Sequence, residues 1–383
     1  MKRQYLVVGA GLSGAVVARE LAEAGHRVSV REARDHVAGN CHTERDAQTG
    51  VMVHRYGPHI FHTDDTEVWA YVNQFTRFRP YAHKVKAQAR GQVYTLPMNL
   101  HTINQFFGLT LRPDEARAFL ARQARSPTGP IASFEDQAVA WLGEDLYRTF
   151  FEGYTRKQWG RAPVDLPASI LKRLPLRFNY DDRYFNHRFQ AMPEQGYTAM
   201  VSRMLDHPLI DIRLNTPVRR SDVAGFDHVF CTAAIDAWFG HMLGHLGYRT
   251  LRFEEFHHDG DYQGCAVMNY PDPDCPFTRI TEHKHFAPWE EHAQSVVYRE
   301  YARDCAPGDT PFYPIRLLDE KALLSDYVAL AERERNVSFL GRLGTYRYLD
   351  MDRCIREALD CARTHLAALA DGAPLPVFSV API

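Results

Sequence analysis

The chain has 383 residues, enough for two or three domains, and its 45% hydrophobic and 24% charged residues are those of an ordinary soluble globular protein. A formal charge of −2 provides no global positive field for a nucleic-acid polyanion, and no stretch approaches the roughly 18 apolar residues of a membrane helix. Seven scattered cysteines without a C-x-x-C pair fit a reduced, cytoplasmic protein better than a disulfide scaffold.

Met1, Lys2 and Arg3 ahead of Leu6, Val7 and Val8 imitate a signal peptide, but glycines break the apolar run and Arg19 and Glu20 follow without a cleavage site. The segment reads instead as the start of a βαβ unit: a strand at 5–8, a turn at 9–14, a helical pattern at 15–23 and a second strand at 27–31. Residues 46–50 have hairpin-turn composition, and 83–96 holds two alternating segments about Arg90 and Gly91. From about 100 to 160 the pattern is helical, with starts at Pro113 and Ser133. Residues 161–178, carrying Pro163, Pro167 and Pro175, read as a loop long enough to have a function. Alternation and repeated prolines over 250–315 predict an antiparallel sheet, and helices at 317–332 and 351–370 flank a short strand at 338–340.

Gly9-Ala10-Gly11-Leu12-Ser13-Gly14 is G-x-G-x-x-G between a strand and a helix. Its glycines allow a tight turn, close approach of a pyrophosphate and packing of helix on strand, while the helix N-terminus offers N–H groups to phosphate. Glu32, at the end of the second strand, is placed to accept ribose hydroxyls, which favours FAD or NAD over a 2′-phosphorylated cofactor. Arg31, Gly39 and Asn40 follow as in FAD-binding proteins of the glutathione-reductase and amine-oxidase type, a likeness that favours FAD.

Residues 150–159 combine Phe150, Phe151, Tyr154 and Trp159 with Arg156 and Lys157, and Lys172, Arg173, Arg177, Tyr180, Arg183, Tyr184 and Phe185 repeat the mixture. Flat rings suit a base, and guanidinium forks suit phosphate oxygens. Taken singly, each ring is more often core than ligand contact.

Together, Gly-Tyr-Thr-Arg-Lys-Gln-Trp at 153–159, the segments 173–177 and 182–185, Thr-Arg-Ile-Thr-Glu-His-Lys at 278–284, and 341–352 resemble the signatures of bacterial UDP-galactopyranose mutases, in order and over essentially the whole chain. That family implies an α/β chain: a Rossmann-type FAD-binding domain from 1–75, 193–240 and 316–383, an inserted helical domain at 98–165 followed by a mobile loop at 161–178, and an antiparallel sheet domain from 76–97, 179–192 and 241–315. It implies interconversion of UDP-galactopyranose and UDP-galactofuranose, with N5 of reduced FAD as the nucleophile at the anomeric carbon and no net redox change, in the service of cell-surface polysaccharide.

By motif, Arg173 and Arg279 would clamp the substrate diphosphate, Arg173 from the mobile loop. Phe150, Phe151, Tyr154, Trp159, Tyr184 and Phe185 would surround the uridine and its phosphates, and Tyr313 and Tyr348 would reach phosphate oxygens. Gly9, Gly11, Ser13, Gly14, Arg31, Glu32, Gly39, Asn40, Arg342 and Met351 would bind FAD, with His59 and Asp350 near the flavin and the sugar. His59 and His62, and His283 and His285, have spacings that occur in metal sites, but no cysteine pair lies nearby and no metal is expected. NADH or NADPH is a candidate reductant, UDP-galactose the expected partner, and a homodimer or larger homo-oligomer the expected assembly. The rival readings are a flavin oxidoreductase of the amine-oxidase or desaturase type, and a nucleotide-sugar sensor without catalysis.

Overall fold

The computed structural model describes residues 2–124, 131–168, 170, 176–315 and 317–382. At its centre is a parallel sheet in the spatial order Ile210–Arg213, Arg27–Arg31, Gln4–Val8, His228–Cys231, Val337–Phe339. Successive side chains of a strand point to opposite faces. Tyr5 and Val7 therefore pack with Ala18, Met200, Val201, Ile355 and Ala358, from the helices Leu12–Glu23, Gly196–Leu205 and Met351–Asp371. Leu6 and Val8 pack the other way, with Leu324 and Tyr327 of the helix Leu318–Ala331. Both faces are covered, as a parallel sheet requires.

The first helix begins at Leu12, inside the glycine motif and three residues before its expected start, because the Ala15 N–H already bonds to Gly11 O at 2.9 Å. Gly14 lets this helix lie against the strand before it: a Cβ there would stand 2.0 Å from Gly9 O, a backbone atom with no freedom to retreat.

A seven-stranded sheet follows, ordered Tyr313–Pro314, Tyr248–Asp259, Gln294–Asp304, Arg279–Glu282, Val267–Asn269, Val85–Ala89, Gln92–Leu96. The last two strands form a hairpin through Arg90 (φ 50) and Gly91 (φ 73), both left-handed, as a two-residue turn of the favoured hand demands. One pairing departs from the expected antiparallel arrangement: Val267–Asn269 runs parallel to Val85–Ala89. The chain between those strands passes through the helical insert and the parallel sheet, and so long a crossover permits the same direction. A third sheet joins Phe61–Thr63 and Phe78–Pro80 to Phe189–Pro193, so residue 75 lies between two strands of one small sheet.

In the helical insert, Ser133 Oγ caps the helix Phe134–Leu142 by accepting from Asp136 N at 3.0 Å. A π-helical turn, Tyr147–Glu152, then breaks the α pattern ahead of the helix Gly153–Trp159. No described helix is long and apolar enough to cross a membrane.

Gly14→Ala should lower stability by about 1–3 kcal/mol through overpacking against fixed backbone, read as a lower urea midpoint. An unchanged midpoint would mean that the helix can move off the strand without cost.

Candidate active site

The glycine turn, the C-terminal ends of the inner parallel strands and the seven-stranded sheet border one continuous cavity of about 730 Å³. At one end the glycines form its wall. A Cβ on Gly9 would lie 2.2 Å from Thr232 Oγ1, and one on Gly39 would lie 3.3 Å from Gly11 Cα, so any side chain would fill the cradle. Glu32 is buried at the end of its strand, where Oε2 accepts from Ala10 N at 2.8 Å and Oε1 from Arg34 N at 3.0 Å. Each carboxylate oxygen keeps a further lone pair for a ribose hydroxyl. Arg31 Nε and Arg34 Nη1 are buried without partners, and both residues line the cavity. Such orphaned donors fit an anionic ligand. Asn40 is oriented by Arg34, whose Nη2 donates to Asn40 Oδ1 at 2.9 Å, and Arg342 by donation from Nη2 to Phe312 O at 2.7 Å. The glycine wall, the acid and the unpaired guanidinium donors together fit a dinucleotide.

Ser13, Gly39, Asn40, Arg342, Asp350 and Met351 reach this wall with Gly9, Gly11, Arg31 and Glu32; Gly14 does not, and serves helix packing instead. Asp350 is the N-cap of the 21-residue helix Met351–Asp371, but its side chain makes no cap hydrogen bond. A carboxylate and a helix N-terminus thus face the cavity together.

His59 sits midway. Its Nδ1 lies 2.9 Å from Gly57 O and so carries the proton, which leaves Nε2 as an acceptor. Burial, helped by Arg342, lowers its pKa to about 4.

At the far end stands Arg279, at the start of the strand Arg279–Glu282. Its Nη2 donates to Tyr154 Oη at 2.6 Å, and its Nε lies 3.3 Å from Glu300 Oε1, off hydrogen-bond geometry. Burial opposes the Arg279 charge, but Glu300 and the hydroxyls of Tyr154, Tyr313 and Tyr184 outweigh it, so its pKa stays well above the ordinary value. Phe150, Phe151, Tyr184, Phe185, Tyr313 and Tyr348 complete this end. Tyr313 stacks on Tyr348 at 5.8 Å, and Arg342 lies 4.6 Å over the Tyr348 ring.

Lys157 holds this end in place without lining the cavity. Its three N–H donors are shared among the carbonyl oxygens of Tyr270, Asp272, Cys275 and Phe277, all 2.5–3.1 Å from Nζ, which clamps the loop that leads into Arg279. Gly153 allows the approach, since a Cβ there would lie 2.3 Å from Pro271 O.

Trp159 stands apart from the expected set. It is 6.5 Å from the Tyr313 ring and absent from the cavity wall, because the helix Gly153–Trp159 turns it away from the face that carries Tyr154. Arg173 lies outside the described residues. The structure adds residues that no local motif announced: His83, Tyr56, Asn269, Thr232 and Glu300 all reach the wall. Glu300 belongs to an alternating strand and His83 precedes a hairpin, so nothing in their neighbours marks them.

A family model for UDP-galactopyranose mutase matches residues 149–348, and one for an NAD(P)-binding Rossmann-like domain matches 7–75. A probable UDP-galactopyranose mutase of Klebsiella pneumoniae is 54% identical over 99% of this chain and 98% of its own length. The chain belongs to the UDP-galactopyranose mutase family. Membership places it among isomerases. A dTDP-fucopyranose mutase of Escherichia coli is also similar, 50% identical over 95% of this chain and 98% of the relative. A crystal structure of a reduced UDP-galactopyranose mutase superposes with a TM-score of 0.76 at 14% identity, covering 99% of each chain. Putrescine oxidase bound to putrescine shares the fold alone, with a TM-score of 0.58 at 14% identity over 96% of this chain and 99% of that one.

Burial also lowers the pKa of His83 to about 3, with Arg279 and His62 adding to the effect, and that of His283 to about 3, with Arg55 adding. With the unfolded value near 6.5, the unfolded chain binds protons that these histidines and His59 refuse. Their stabilisation is therefore present above about pH 6.5 and lost as pH falls toward 4. Urea midpoints measured from pH 7 to 4 should fall, and His83→Gln should flatten the slope; an equal slope in the variant would refute this origin.

Proposed function

We propose that the chain interconverts UDP-galactopyranose and UDP-galactofuranose, with FAD in the glycine cradle and the nucleotide diphosphate at the Arg279 end. The observation that carries this reading is the continuity of one cavity from Gly9 and Glu32 to Arg279, Tyr154 and Tyr313. Reduced FAD, when bound, supplies through N5 a nucleophile for the anomeric carbon. The chain's own residues supply the rest.

Arg279 is a half-buried, permanently charged guanidinium, suited to offset negative charge that grows on departing UDP. Arg173, by its place in the motif, would be the second cation on the same diphosphate. The Tyr313 hydroxyl supplies a donor that remains protonated, because burial, with Glu300 nearby, pushes its pKa far up, and the Tyr348 ring stacks beside it. Phe150, Phe151, Tyr154 and Tyr184 offer apolar faces for a base, while Trp159 acts only through Tyr313. Neutral His59, with Nε2 free to accept, and Asp350 at the mouth of the long helix would hold the flavin region and the sugar hydroxyls.

A second reading is favoured by the 50% identity to the dTDP-fucopyranose mutase: a thymidine-linked deoxy sugar as substrate. Both sugars should therefore be offered in parallel.

The deciding assay incubates dithionite-reduced protein with UDP-galactofuranose and follows the pyranose by chromatography. Turnover without consumption of reductant is expected, and oxidised protein should be inactive. Stoichiometric use of an electron donor or acceptor would instead mark an oxidoreductase, and binding without product a sensor. Arg279→Ala and Arg173→Ala should each lower kcat by about 100- to 1,000-fold, the range for removing one preorganised donor, while the yellow cofactor stays bound. Normal turnover in both variants would overturn the assignment.

A further inference from the structure

The crossover between the strands His228–Cys231 and Tyr248–Asp259 carries three side chains that take no part in the cavity: Asp236, His241 and His245. One carboxylate oxygen and one ring nitrogen from each histidine all lie within 4.8 Å of one another. We propose that these three residues bind a divalent first-row transition ion, with Zn²⁺ the best match, as a clasp on this crossover.

The carboxylate makes the case. Asp236 is 2% exposed; Oδ2 accepts from Leu246 N at 3.0 Å and lies 3.2 Å from His241 Nδ1, while Oδ1 is buried and has no partner. A buried carboxylate left with one oxygen unpartnered is costly, and a cation bound beside His241 would answer the charge that the whole group carries. Among the described residues no lysine or arginine forms an ion pair with Asp236.

Geometry favours zinc. Bonds of about 2.0–2.1 Å in a tetrahedral site set neighbouring donor atoms roughly 3.3 Å apart, and the Asp236–His241 pair is already at 3.2 Å. The His245 ring, stacked on His241 at 3.9 Å, is exposed and free to close the remaining distance. Two imidazoles and one carboxylate suit zinc rather than magnesium or calcium, with water in the fourth position. His241 also holds a left-handed backbone, φ 55, fixed by His241 N to Asp236 O at 2.8 Å and Gly244 N to His241 O at 2.9 Å.

Two other acid–histidine groups lack these features. Asp261, Glu282 and His285 have Lys284 Nζ at 2.8 Å from Asp261, and Glu282 is spent on the N–H groups of Tyr262 and Gln263. Asp46, Glu255 and His257 have Asp46 held by Thr49 and Glu255 paired with Arg55.

The proposed clasp also touches the active site indirectly. Thr232, Ala233 and Ala234 line the cavity immediately before Asp236, so an ion here would fix the segment that closes the glycine cradle.

The test is calorimetric titration of the untagged full-length protein, kept reduced, with ZnCl₂, together with its thermal midpoint. One equivalent of Zn²⁺ and a raised midpoint are expected. His241→Ala and the conservative surface variant His245→Gln should each weaken binding at least tenfold, the lower edge of what losing even an outer-shell partner costs, with circular dichroism confirming their fold. Failure of the wild-type protein to bind, or equal affinity in the double variant His241→Ala/His245→Ala, would overturn the proposal.

Discussion

A guanidinium drawn partly out of water needs its charge answered, and much of this molecule is arranged around that requirement at Arg279, whose side chain stays 25% exposed. Glu300 and three tyrosine hydroxyls answer it from separate elements: Glu300 from the strand beside Arg279, Tyr154 from the helical insert, Tyr184 from the segment after it, and Tyr313 from the sheet's edge. The same partial withdrawal from water that makes the charge costly makes it effective on an anionic substrate. Because the partners are distributed, the helical insert and the sheet must dock before the site exists.

Lys157 secures that docking. An ammonium spent on four carbonyls is a tether, and it joins the helix of Tyr154 to the loop before Arg279. The Gly-Tyr-Thr-Arg-Lys-Gln-Trp segment therefore does two kinds of work at once. Tyr154 faces the cavity; Lys157 faces the loop, and Gly153 permits the contact. The two ends of the cavity differ in character for a related reason. The cradle end is backbone-rich, with glycines that admit a pyrophosphate, whereas the Arg279 end is built from large side chains that shape a pocket for rings and a sugar.

The crossover from the parallel sheet to the long strand Tyr248–Asp259 links these ends through the chain itself. Thr232 closes on Gly9, and Asp236 anchors the turn that follows through Leu246. Order in this turn is thus transmitted to the cradle by a few residues of continuous backbone, whatever stabilises it.

Local order was legible in the residues alone, because its causes are local. The G-x-G-x-x-G turn, the acid at Glu32, the hairpin through Arg90 and Gly91 and the Ser133 cap each depend on a few adjacent residues and on φ values or hydrogen bonds that those residues dictate. Family signatures likewise point to Arg279, Tyr154 and Tyr313 from the residues alone. Tertiary structure alone decided the rest: that Trp159 turns from the wall, that Lys157 is a tether, that Val267–Asn269 pairs in parallel, and that His83, Asn269 and Glu300 enter the cavity. The physical reason is that burial and direction belong to no single segment. Whether a charged or aromatic side chain meets solvent, core or cavity depends on which distant strand or helix packs over it, and that choice is made by the whole chain at once.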